Sequence, residues 1–107
     1  MTTTLIDLDA LDRVGKALAD ATRRRLLIAL TERARYPSEL AEELGLTRAN
    51  VSNHLACLRG CGLVTAVPMG RNVRYELADP RLREALRTLS SLSLHPVEDC
   101  KSETIHG

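Results

Sequence analysis

Apolar residues recur along this chain at helical spacing over most of its length and alternate with polar ones in one stretch only. Leu8, Leu11, Val14 and Leu18 fall on one face of a helix. Ala19-Asp20-Ala21 interrupts that face, and Leu26, Leu27 and Leu30 mark a second helix running through Arg23 to about Glu32. Tyr36-Pro37-Ser38 predicts a helix start, because proline's fixed φ and missing N–H suit the first turn. That third helix is short, Ser38 to Leu44, with Leu40, Ala41 and Leu44 inward and Gly45 as its stop. Thr47 is a good N-cap for a fourth helix, Arg48 to about Arg59, whose seam is Val51, Leu55 and Leu58.

The pattern then changes period. Leu63 to Val67 reads as a strand, Met69-Gly70-Arg71-Asn72 as a turn, and Val73 to Leu77 as a second strand. Val73, Tyr75 and Leu77 alternate there with Asn72, Arg74 and Glu76. Asp79-Pro80 opens a last helix with Leu82, Leu86 and Leu89 on one face and Ser93 at the end of it. Residues 95–107 are polar, carry Pro96, and read as a flexible tail behind a single domain over residues 1–94.

Two short helices joined by a tight glycine-containing turn form a helix-turn-helix, and a hairpin directly after the second makes it winged. The expected fold is therefore mainly α with a small β-hairpin, a winged helix-turn-helix. In that geometry the second helix enters the major groove of double-stranded DNA. Its residue types suit the task. Arg48 fits guanine or phosphate, Asn50 and Asn53 fit adenine edges, Thr47 and Ser52 fit phosphate, and His54 is ambiguous. Arg71 at the hairpin turn and Arg74 beside it extend the set onto the wing.

Charge supports this more by its placement than by its sum. The 107 residues carry a net charge of only +1. From Thr47 to Tyr75, however, there are four arginines and no Asp or Glu, while the rest of the chain sums to −3. An anion-binding surface on an acidic body has this form; a solvated face that happens to lack acids is the plainer alternative. Phe and Trp are absent, so Leu, Val, Ile and Ala must build the core. The opening MTTTLIDLDA lacks the basic and apolar regions of a signal peptide, and no apolar run approaches the roughly 20 residues of a membrane span. The expectation is a cytoplasmic protein with no membrane partner.

Three cysteines in a reducing compartment suggest metal or redox chemistry rather than a disulfide framework. Cys57 and Cys61 stand one helical turn apart and project on the same side, which makes half of a soft-metal site. Zinc asks for two further ligands, whereas softer ions are satisfied by fewer thiolates. Cys100 lies on the tail. Packing of Cys57 as a small apolar residue is the alternative.

Several strings together resemble the ArsR/SmtB family of metal-responsive repressors. They are Ala19-Asp20-Ala21-Thr22-Arg23, Glu39-Leu40-Ala41, the run from Leu46 to Leu55 with Ser52-Asn53-His54-Leu55, Gly62-Leu63-Val64, and Gly70-Arg71 with Arg74-Tyr75. The likeness spans about residues 8–94. It implies a homodimer joined through the first and last helices, with the recognition helices on a palindromic operator and repression relieved by an inducer. Cys57-Leu58-Arg59-Gly60-Cys61-Gly62 resembles most the CmtR-type branch of the family, which answers to cadmium and lead. That likeness implies a site of three thiolates, Cys57, Cys61 and Cys100, for Cd(II) or Pb(II). The arsenic-type cysteine pair is replaced by Arg35-Tyr36-Pro37-Ser38. Of the zinc-type set on the last helix Asp79 survives, but Arg81 and Leu92 stand at ligand positions and His95 falls in the tail. A thiol-redox repressor, an arsenite-responsive repressor using the same cysteines and a protein-interaction winged helix are the alternatives. Without a substrate pocket or oxyanion motif, an enzyme is not expected.

Overall fold

The computed structural model describes residues 5–97, folded as five helices and one hairpin. Helix α1 spans Leu8–Leu18, α2 Ala21–Glu32, α3 Pro37–Leu44 and α4 Arg48–Gly60; strands β1 (Val64–Met69) and β2 (Asn72–Leu77) precede α5, Arg81–Ser90. Side-chain caps explain three of the starts. Asp7 accepts from the Ala10 N–H at 3.1 Å, Asp20 from Arg23 at 3.0 Å and Thr47 from Asn50 at 3.0 Å, each satisfying a backbone donor that a helix start leaves orphaned. At α3, Pro37 occupies the first turn and Glu39 accepts the Tyr36 N–H at 2.8 Å.

The turn between α3 and α4 depends on Gly45, which sits at φ 68°. That left-handed backbone costs glycine little. It lets the Leu46 N–H bond back to the Ala41 carbonyl at 2.9 Å, so α4 starts almost at once. The core forms around that junction. Leu26, Leu27 and Leu30 of α2, Leu40 of α3 and Val51, Leu55 and Leu58 of α4 are all essentially without solvent contact. Each such side chain contributes about 1.5–3 kcal/mol relative to an exposed one. Leu63, Val64 and Leu86 close the far side.

The hairpin pairs β1 and β2 antiparallel, from Val64 opposite Leu77 to Met69 opposite Asn72. Its first strand starts one residue later and runs two residues further than the alternation predicts. A two-residue loop, Gly70-Arg71, closes it, with φ 65° at Gly70 alone. Arg35 adds one rung on the other side of β2, exchanging hydrogen bonds with Tyr75; periodicity gives no sign of it.

The outer helices differ from expectation more. Val14 and Leu18 pack against the core, but Leu8 and Leu11, read as part of the same inward face, are 68% and 56% exposed. Leu89 on α5 is likewise 52% exposed. Helix α5 ends at Ser90, short of Ser93, where the Ser90 and Ser91 hydroxyls bond back to the Arg87 and Thr88 carbonyls at 2.9 Å and compete with further helix. The run Arg23-Arg24-Arg25 holds helix ends together. Arg23 donates to the Ala17 and Lys16 carbonyls, Arg24 to Leu18 and Arg25 to Leu44.

Candidate DNA-reading face and thiol pair

The capped start of α4 presents Thr47, Arg48, Ser52 and Asn53 to solvent, with Asn50 half-buried beside them. Opposite stands the wing, with Arg71 exposed at its tip. Between them lies a cleft of about 720 Å³, lined among others by Ser38, Arg48, Ser52, Arg71 and Tyr75. No carboxylate lines it. Two arginines facing each other across a groove with hydroxyls on its walls suit a sugar-phosphate strand. Tyr36 and Ser38, which line the same cleft, were read in the sequence only as a helix start. Their position at the beginning of the first helix of a helix-turn-helix is the signal that could have placed them there, since that helix crosses the DNA backbone.

Two sequence-predicted residues are placed differently. His54 is half-buried, and its Nδ1 lies 3.7 Å from Asp20 Oδ2 at the start of α2; it faces the body of the domain. The Arg23 backbone N–H holds the Asp20 carboxyl below the usual carboxylate range, and a positive charge on His54 acts in the same direction. Arg74 is also half-buried. Its guanidinium lies 3.7 Å from Glu76 and its Nε has no partner among the described residues.

The C-terminal end of α4 carries the thiols, Cys57 in the last turn and Cys61 at the C-cap. The Cys61 N–H donates to the Cys57 carbonyl at 3.0 Å, so the two cysteines occupy successive turns. Both are free and half-buried. Cys61 packs against the core and lines a cleft of about 400 Å³ with Arg13 and Val14 of α1, Asp79, and Arg81 and Leu82 of α5. The Asp79 carboxylate is engaged by Arg81, whose Nη2 lies at 2.8 Å. That side-chain bond, first of all, holds the Asp79 carboxyl below its usual range. Among the described residues, no three His, Cys, Asp or Glu side chains are gathered to hold a metal ion. Cys100 lies outside the described residues. No described helix is long and apolar enough to cross a membrane.

Comparison with known proteins bears on the family and the fold. The profile of the "Bacterial regulatory protein, arsR family" matches residues 20–66, which run from the cap of α2 into the wing. The HTH-type transcriptional regulator CmtR of Mycobacterium tuberculosis is 60% identical over 85 residues, 79% of this chain and 72% of that one. The chain belongs to the ArsR family. Its fold is the ArsR winged helix-turn-helix, and it is a DNA-binding transcriptional regulator rather than an enzyme. Two solved structures superpose on it. The NMR structure of the cadmium metal-sensor CMTR from Mycobacterium tuberculosis gives a TM-score of 0.66 at 57% identity, over 82% of this chain and 92% of that one. The homodimeric winged helix-turn-helix DNA-binding domain of Mb0332 from Mycobacterium bovis gives 0.71 at 27% identity, over 89% and 100%.

Proposed function

We propose that this chain is a homodimeric repressor that occupies operator DNA when metal-free and leaves it on binding a soft metal ion, cadmium or lead, through cysteine thiolates. The observation that carries the reading is the layout of α4: its N-terminal half is the exposed, acid-free reading end, and Cys57 and Cys61 stand at its C-terminal end. A ligand at one end of a rigid helix acts directly on the other.

The donor chemistry fits in kind. Two half-exposed thiols one turn apart supply two soft ligands, and Cys100 on the tail is the third in this proposal. Bound there, such an ion would be held by the thiolates of Cys57, Cys61 and Cys100 and would link the end of α4 to the tail. The residues of α1 and α5 supply the dimer. Leu8, Leu11, Leu89 and Leu92 are at least half exposed, which leaves apolar surface for a second subunit to cover. The CMTR structure, described as a cadmium sensor, and the homodimeric Mb0332 domain support the two halves of the reading. Tying down the end of α4 shifts its first turn relative to the partner's. A coupling of about 1–3 kcal/mol between the sites lowers DNA affinity five- to 150-fold.

The test is a titration of reduced, metal-free protein with Cd(II), Pb(II) and arsenite, following the ultraviolet thiolate-to-metal charge-transfer band in the wild type and in Cys57→Ser, Cys61→Ser and Cys100→Ser. The expected result is saturation at one cadmium or lead per subunit and a band diminished by each substitution. A band indifferent to Cys57 and Cys61 overturns the site. Saturation by arsenite alone keeps the thiols and changes the signal.

A further inference from the structure

Arg35 is 2% exposed, in a place where a charged side chain is seldom buried unless paired. It stands between α2 and α3. Its guanidinium bonds Glu32 of α2 at 2.8 Å and also Glu43 of α3. Those carboxylates are 67% and 46% exposed, and Arg35 Nε has no partner among the described residues. The backbone of the same residue forms the extra rung on β2: its N–H donates to the Tyr75 carbonyl at 2.9 Å and its carbonyl accepts from the Tyr75 N–H at 2.8 Å. One residue thus ties α2, α3 and the root of the wing.

Stability does not account for an arginine here. Any non-proline residue can make the backbone rung. Desolvating a guanidinium costs several kcal/mol, and carboxylates in contact with water return little of it. What arginine offers beyond an apolar side chain is a planar fork that fixes the directions of two partners at once. The wing is where direction matters. Arg71 lies four residues from Tyr75 along the hairpin, about 14 Å at the rise of a strand. A tilt of about 10° at the root moves a tip that far away by about 2 Å, enough to break a hydrogen bond to phosphate.

We propose that Arg35 is a positioning residue for the wing: it sets β2 against the helix-turn-helix so that Arg71 reaches the DNA strand beside α4. The inference rests on the DNA-binding part of the function proposed above. A double-mutant cycle tests it, using a duplex selected by the wild type from a random library. Arg71→Ala is expected to weaken binding about thirtyfold at 0.15 M salt and to lower the salt slope by about 1.8, the effect of two phosphate contacts per dimer. Arg35→Met keeps the side-chain volume and lets both carboxylates hydrate. It is expected to weaken binding to a similar degree with metal stoichiometry unchanged, and to add nothing in the Arg71→Ala background. If Arg35→Met does not fold, Glu43→Ala at the half-exposed partner position carries the same cycle. Wild-type affinity in Arg35→Met, or an undiminished loss on top of Arg71→Ala, overturns the inference alone. If Arg71→Ala binds like the wild type, the wing contact falls and the inference with it. Failure of the wild type to select any duplex removes the DNA-binding reading itself.

Discussion

The N-terminal half of α4 projects Arg48, Ser52 and Asn53 into solvent from a side-chain cap, whereas its C-terminal end holds Cys57 and the C-cap Cys61 half-buried, with Cys61 lining a cleft with residues of α1 and the start of α5. The first arrangement suits groups that must meet an outside partner in a fixed pose. The second suits groups whose surroundings change when a ligand arrives, because their neighbours belong to other elements. Val51, Leu55 and Leu58 run between the two ends without solvent contact, so the ends are joined by a stiff rod. Separate chemistry at two ends of one rod is the physical content of the proposed switch.

The rod itself is the place to break the comparison. Leu55→Ala removes a fully buried side chain and is expected to cost about 2–5 kcal/mol of stability, measured by denaturant unfolding, with both functions weakened together. A narrower pair of substitutions should separate the ends. Cys57→Ser is expected to lower cadmium affinity by more than the roughly 10–100-fold typical of groups that merely support a metal ligand, while metal-free DNA binding stays intact. Arg48→Ala is expected to cost about 1–3 kcal/mol in DNA binding and to leave the charge-transfer titration unchanged. Loss of both activities in either variant would mean that the ends are not separable. Thr47→Ala, which removes the cap of the reading end, should cost about 1 kcal/mol of stability and affect DNA binding more than metal binding.

The smallest effect is a pH dependence at the joint with α2. Because the folded protein holds the Asp20 carboxyl below its ordinary value of 3.8, its ionised form contributes stability above that value. The contribution is lost as pH falls through the lower folded value. Asparagine caps as well as aspartate, so Asp20→Asn should match the wild type near neutral pH. Thermal unfolding of both proteins from pH 7 to pH 3 should show a steeper fall for the wild type below about pH 4.

The elements along α2, α3 and α4 were legible because leucine spacing, caps and Gly45 all act locally and agree with one another. Arg48, Ser52 and Asn53 followed from the same pattern, since the residues opposite a buried seam face outward. What the sequence hid was long-range. Leu8 and Leu11 repeat like core residues, yet both are more than half exposed. Arg23, Arg24 and Arg25 each bond a carbonyl at the end of another helix, which local spacing does not show. Arg35 and His54 find their partners, Glu43 and Asp20, on other elements, and no spacing rule reveals such pairs, whereas Arg74 and Glu76 share one face of β2. Cys100 was picked out by resemblance, and the described residues stop short of it.

The wing tip has one further consequence. Only Gly70 in its two-residue loop adopts a positive φ, so the glycine carries the whole conformational demand of the turn. Arg71, one position on, is under no such demand, because its φ is not positive. The outermost side chain of the wing is therefore free to vary without disturbing the hairpin behind it. Substitution at position 71 therefore probes the proposed DNA contact without disturbing the turn, whereas a side chain at position 70 is strained.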